Sequence, residues 1–123
     1  MDEQEDSAGN GEDRDLVYRA FHDSIQRRFL RTLVSDTVIE EHRRKPLGQH
    51  SEPLERLLNH FRTMPMAGKY AVRRDEAAGA YSIVALSGER GVAPTPVGDT
   101  RYATVEEAYH GIFLRRIEEL MGT

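Results

Sequence analysis

Histidine is the residue type here best suited to acid–base or metal chemistry near neutral pH, and the chain holds five: His22, His42, His50, His60 and His110. None of them stands at H-x-x-x-H or H-E-x-x-H spacing, which would set two imidazoles on one helix face against a metal ion. They read as surface or hydrogen-bonded structural histidines. The acid pairs Glu40-Glu41, Glu106-Glu107 and Glu118-Glu119 are adjacent in sequence, and neighbouring side chains on a helix diverge by about 100°, so no pair can easily share a proton or a metal. Gly88-Glu89-Arg90-Gly91 is too sparse to cradle a phosphate and reads as a turn, and Ser87 lacks a G-x-S-x-G setting. The chain has no cysteine, which removes thiol nucleophiles, thiolate zinc sites and disulfides together and suits a reducing compartment. No catalytic residue, cofactor-binding residue or metal ligand is therefore assigned on this chain.

The elements that would position any site are legible from periodicity and punctuation. Residues 1–15 hold seven acids against Arg14, with Ser7-Ala8-Gly9-Asn10-Gly11 at their centre, and are expected to form a solvated acidic tail ahead of a single domain over residues 16–123. Helix formation should start near Asp13 or Asp15. Val17, Phe21, Ile25, Phe29 and Leu33 then fall on one stripe, expected to dock on the core, while Leu30 and Val34 project from another side and need cover from a neighbour. Thr37 and Glu40 have capping-box spacing ahead of a short helix that Pro46 and Gly48 stop. Ser51-Glu52-Pro53 opens a third helix with Leu54, Leu57, Leu58, Phe61 and Met64 on one face, closed by Pro65.

Periodicity then changes. Tyr70 to Arg73 and Tyr81 to Leu86 are β-prone runs joined by a loop of about five residues ending at Gly79, and Arg101-Tyr102-Ala103 is a candidate third strand. Thr104-Val105-Glu106-Glu107 is a capping box for a closing helix with apolar residues at Val105, Ala108, Tyr109, Ile112, Phe113, Ile117 and Leu120. The expected fold class is α+β: N-terminal helices, a small antiparallel sheet of two or three strands, and a C-terminal helix packed on it.

With 38% apolar and 31% charged residues the chain is an ordinary globular one, and no apolar run is long enough to cross a bilayer. An acidic start does not resemble a secretory signal, so a cytoplasmic location is expected. Arg116 projects into the middle of the closing helix's apolar stripe and must be answered. It either snorkels past the last turn or meets a carboxylate on a partner. A partner surface is expected at Leu30, Val34, Phe61, Arg62, Lys69, Tyr70, Leu114, Arg115 and Arg116.

An ordered set of short pieces supports that expectation. Glu40-Glu41-His42 with Pro46-x-Gly48 comes first, then Asn59-x-Phe61-Arg62 with Pro65 and Gly68-Lys69-Tyr70. Ala80-Tyr81-x-Ile83, Gly98-Asp99-x-Arg101, Thr104-x-Glu106-Glu107-Ala108 and the Phe113 to Glu118 run continue it. From about Glu40 onward the chain resembles the small subunit of N,N-dimethylformamidase. The resemblance implies a subunit of an amidohydrolase that splits dimethylformamide, or a related N-substituted formamide, into an amine and formate. It also implies a hetero-oligomer in which iron and its ligands belong to a large catalytic subunit, with no cofactor on this chain, no membrane and no nucleic acid. The acidic tail is a departure from the family pattern, as is Ala78, where an aromatic is expected.

Two readings from other classes stand beside it. A three-stranded sheet ahead of a helix, with Lys69, Arg73, Arg74, Arg90 and Arg101, superficially matches sheet-reading nucleic-acid modules. Residues 69–123 nonetheless carry seven bases against eight acids, whereas such modules concentrate positive charge. An enzyme acting alone would need a histidine base with Tyr70 or Tyr81 as donor, and nothing supplies a nucleophile with an orienting base.

Overall fold

Hydroxyl groups set two of the helix starts in this protein. The computed structural model describes residues 2–65 and 68–122, with side chains from Arg14 onward. The chain divides into two units, Met1–Thr32 and Leu33–Thr123. The first is helix α1 (Asp2–Leu33), whose backbone begins upstream of the start expected at Asp13 or Asp15. The acidic tail expected over residues 1–15 falls almost wholly outside the described side chains.

In the second unit, α2 (Asp36–Arg44) is capped by Ser35, whose Oγ accepts from the Val38 amide at 3.2 Å. That corrects the capping box expected at Thr37, which lies inside the first turn and is two residues too late to cap it. α3 (Glu52–Arg62) takes Pro53 in its first turn as expected. Ser51 does not cap α3 with its side chain; its amide, at 2.7 Å, and its hydroxyl both donate to the Glu41 carboxylate, tying α3's start to α2. At α4 (Val105–Gly122) the expected box is present: the Glu107 amide donates to Thr104 Oγ1 at 3.1 Å, and the Glu107 carboxylate accepts from the Ala103 amide at 3.2 Å.

β1 (Tyr70–Asp75) and β2 (Ala80–Ala85) pair antiparallel with Tyr70 opposite Ala85 and Asp75 opposite Ala80. Asp75 joins the strand, so the turn is one residue tighter than expected: its Oδ1 accepts from the Ala78 amide, and Gly79 turns at φ +64°. The third strand is not the expected 101–103 segment. β3 (Thr95–Pro96) pairs with β2, Thr95 facing Ala85 and Pro96 facing Val84. Proline is tolerated there because an edge strand leaves its missing donor unneeded. Tyr102 instead forms an isolated bridge to Tyr81, the two exchanging backbone bonds of 2.8 Å, and the cap at Thr104 then ends extended chain.

The fold class is α+β, as expected. Leu54 and Leu57 of α3, Ile83 and Val84 of β2, and Ala108, Phe113, Ile117 and Leu120 of α4 form the core with Val38. Gly111 is also buried, and a Cβ there would come within 2.5 Å of the Tyr102 hydroxyl. Only a residue without a side chain lets α4 lie that close to the Tyr102 ring.

In α1 the exposures differ from those expected. Val17, Phe21, Ile25 and Phe29 are 69, 63, 48 and 47% exposed, whereas Leu30 is buried at 3%. Periodicity tells which residues share a stripe but not which of them are buried.

Candidate functional site

α3 ends at Arg62, β1 starts at Tyr70, and α4 passes both; with His42, Pro46 and Leu47 from the end of α2 and the loop after it, four parts of the sequence line one cleft of about 280 Å³. Phe61, Arg62, Lys69, Tyr70 and Arg116, expected at a partner surface, all line it, together with Leu58, Tyr109 and Phe113. Its charged side chains are cations. Arg62 Nη1 donates to Asn59 Oδ1 at 2.8 Å, and Lys69 Nζ donates to the Arg62 carbonyl at 3.1 Å, which fixes the mouth of the cleft.

Arg116 is only 7% exposed and is answered within the chain. Its Nη1 donates to Glu119 Oε2 at 3.1 Å, and its guanidinium lies over the Tyr70 ring, 4.5 Å from the centroid. The Tyr70 hydroxyl donates to the other Glu119 oxygen. That bond, with burial, holds the Tyr70 proton above its ordinary range. A carboxylate for Arg116 is thus present three residues along its own helix, because side chains at i and i+3 share a face. Arg116→Ala is accordingly expected to destabilise the isolated chain by about 2 kcal/mol, through loss of the charged hydrogen bond and the cation–π contact. Thermal melting of the purified chain checks this, and an unchanged melting temperature would refute it.

Leu114 and Arg115 lie on the opposite flank of α4, where a second, wider groove of about 670 Å³ is lined also by Arg43, Arg44, Tyr102, His110 and Glu118. Leu114 is 41% exposed. Leu30 is buried and Val34 half-buried, and neither lines the cleft or this groove.

Three of the five histidines converge, which spacing could not show because they come from α2, the α2–α3 loop and α4. His42 is 3% exposed, and its Nδ1 lies 2.9 Å from Nδ1 of His110. One of these nitrogens must donate and the other accept, which a neutral pair meets with opposite tautomers. The His42 ring stacks on Phe113 at 4.1 Å and lies 6.1 Å from His50. Burial, then the neighbouring His110 and His50, pushes the His42 pKa down to about 4, with Glu41 opposing. Burial also lowers His110. His50 holds the loop, its Nε2 on the Lys45 carbonyl at 2.6 Å and its Nδ1 facing Glu55 at 3.3 Å. Among the described residues, no three His, Cys, Asp or Glu side chains are grouped to hold a metal ion.

A family model described as the N,N-dimethylformamidase alpha subunit matches residues 16–123. The chain belongs to that family. It is 36% identical over 116 residues to the N,N-dimethylformamidase alpha subunit of Alcaligenes sp, covering 90% of this chain and 86% of that one. It is 38% identical over 86 residues to the subunit of the same name from Paracoccus aminophilus, covering 68% of this chain and 60% of that one.

The short pieces that carry the dimethylformamidase resemblance are brought together in space. Asn59-x-Phe61-Arg62, Gly68-Lys69-Tyr70 and the Phe113 to Glu118 run meet at the cleft, where Asn59 holds Arg62 and Tyr70 underlies Arg116. His42 and Pro46 line it too, the His42 ring stacked on Phe113, and Glu41 clamps the start of α3. The Thr104-x-Glu106-Glu107 piece is the cap that fixes where α4 begins.

Proposed function

We propose that this chain is the small, non-catalytic subunit of an N,N-dimethylformamidase-like amidohydrolase, which splits dimethylformamide or a related N-substituted formamide into an amine and formate in the cytoplasm. The family match over residues 16–123 carries the reading. In it, the chain stabilises a large subunit that bears the iron and its ligands. The donor set of the described residues does not fit an iron site, since no three candidate ligands are grouped, so no step of the reaction is derived through iron on this chain. No helix among the described residues is long and apolar enough to cross a membrane.

The face offered to the large subunit is the mouth of the cleft, with Phe61, Arg62, Lys69 and Tyr70, together with Leu114 and Arg115 on the other flank of α4. An apolar floor ringed by cations suits a partner segment that carries a carboxylate beside an apolar anchor. The chain's part in the chemistry is then to hold the large subunit in its working shape, the amide being bound and cleaved elsewhere.

Purification of the chain at native levels from its source, followed by mass and iron analysis of what accompanies it, tests this reading. A large iron-bearing partner and release of dimethylamine from dimethylformamide are expected. A lone metal-free chain would overturn the proposal, as would amide hydrolysis by the pure chain. Within the complex, Arg62→Glu combined with Lys69→Glu is expected to weaken association at least tenfold while lowering the melting of the isolated chain only slightly, because the two hydrogen bonds lost with them are exposed.

A further inference from the structure

The two outer edges of the sheet differ. β3 forms one of them, two residues long and carrying Pro96, so a further strand finds little backbone there and one donor missing. β1 forms the other, and its six residues pair with β2 in an unbroken register. In an antiparallel ladder the backbone groups of successive residues point alternately to the two sides of the strand. The Leu86 amide donates to the Lys69 carbonyl at 2.8 Å, which sets the phase. Ala71, Arg73 and Asp75 therefore turn their amides and carbonyls to β2, and Tyr70, Val72 and Arg74 turn theirs outward. The far side of β2 agrees: Tyr81 and Ile83, opposite Arg74 and Val72, bond away from β1 to Tyr102 and Val97. Among the described residues, no backbone group bonds to the outward amides and carbonyls of β1.

Charge selects what could. Arg73 and Arg74 are exposed, and among the described residues neither is in an ion pair. Being consecutive in a strand, they point to opposite faces of the sheet. The acids that follow belong to the hairpin turn, where Asp75 Oδ1 accepts from the Ala78 amide at 3.2 Å and Glu76 lies in the turn itself. A second copy of β1 does not answer the arginines. In the antiparallel register of greatest overlap, Arg73 would face Ala71 of the copy and Arg74 would face its Tyr70. Sliding the copy until Arg73 meets its Asp75 shortens the contact to residues 73–75. The edge also adjoins the cleft, since Lys69 and Tyr70 line it, so a partner seated at the cleft mouth has β1 beside it.

We propose that the outer edge of β1 takes an extended segment of the large subunit, which joins the sheet through the amides and carbonyls of Tyr70, Val72 and Arg74 and sets carboxylates at two consecutive positions against Arg73 and Arg74. Strand addition of this kind draws affinity from the main chain and specificity from the side chains beside it. The inference rests on the subunit reading and specifies how that subunit is held.

Amide exchange, followed residue by residue in the full chain alone and in the purified complex, tests it. The amides of Tyr70, Val72 and Arg74 are expected to slow about a hundredfold on assembly, whereas those of Ala71, Arg73 and Asp75 are protected in both states. Val72→Pro removes an outward amide that the β1–β2 ladder does not use and is expected to weaken association about tenfold, while Val72→Thr, which keeps the amide, leaves association as it was. Arg73→Glu with Arg74→Glu is expected to weaken association about tenfold and to flatten its dependence on salt. This second variant keeps the test open if Val72→Pro does not fold. A complex in which the three outward amides exchange as fast as in the lone chain would overturn the proposal and leave the subunit reading standing. Failure of any large subunit to bind would overturn both. Protection of the same three amides in the lone chain as its concentration rises would give the edge to a second copy and overturn the proposal, as would association indifferent to the two arginines.

Discussion

Lowering the pH from 7 to 4 is expected to remove about 3 kcal/mol from the stability of the Leu33–Thr123 unit, through His42 alone. In the folded chain burial pushes this histidine from its ordinary 6.5 down to about 4. Above pH 6.5 neither the folded nor the unfolded chain carries the proton, and stability is at its full value. Between 6.5 and 4 the unfolded chain takes up a proton that the folded chain refuses, so stability falls steadily through that window and levels off below it. His110, lowered in the same direction, adds to the slope. The groups facing the His42 ring are His110 from α4, His50 from the α2–α3 loop and Glu41 from α2, and of these only Glu41 favours the charged form. Glu40 and Glu41 also titrate low, and their windows open below pH 4.5, so the points from pH 7 to 5 isolate the histidines and the comparison with His42→Gln separates them at pH 4. Urea denaturation at pH 7, 6, 5 and 4 should show the loss in the natural chain and a shallower one in His42→Gln. Equal slopes in the two would refute the assignment.

Leu54→Ala is expected to cost about 4 kcal/mol, the upper part of the range for a leucine truncated in a core that cannot collapse onto the gap. Leu54 has no exposure and sits in α3, beside Leu57, which has none either. Leu114→Ala provides the contrast. At 41% exposure it should shift stability by less than about 0.5 kcal/mol, so a large effect there would belong to assembly rather than to folding. Chemical denaturation of both variants separates the two cases, and a loss below about 1 kcal/mol for Leu54→Ala would mean that this core is not packed as described.

Punctuation was the part of the fold most legible in the sequence. Pro53 and Pro65 bracket α3, Gly79 marks the hairpin turn, and the Thr104 to Glu107 box fixes the start of α4, because each acts through its own backbone and needs no distant partner. Features decided by distant residues were read less well. Ser35 rather than Thr37 caps α2, since both residue types can cap and only the path of the chain chooses between them. The third strand went to Thr95–Pro96, a segment whose proline argues against a strand until the edge position is known. Arg116 in an apolar stripe shows that it needs an acidic neighbour, and Glu119, within one turn, is paired with it. For the candidate site, the cleft-lining segments are each visible in the resemblance, whereas their meeting point is not. The contact of His42 with His110 spans 68 positions, and nothing local announces it.

The position of α4 in the order of synthesis has a consequence for how the protein is made. Ala108, Phe113, Ile117 and Leu120 come from α4, the last element described, and they complete a core whose other members lie on α2, α3 and β2. A nascent chain therefore carries Val38, Leu54, Leu57, Ile83 and Val84 in the open until α4 has emerged. The cleft does not exist before then either, because Tyr109, Phe113 and Arg116 form one of its walls. Any partner that recognises the cleft can engage only a chain in which α4 has already emerged and docked, so assembly at this face waits for α4.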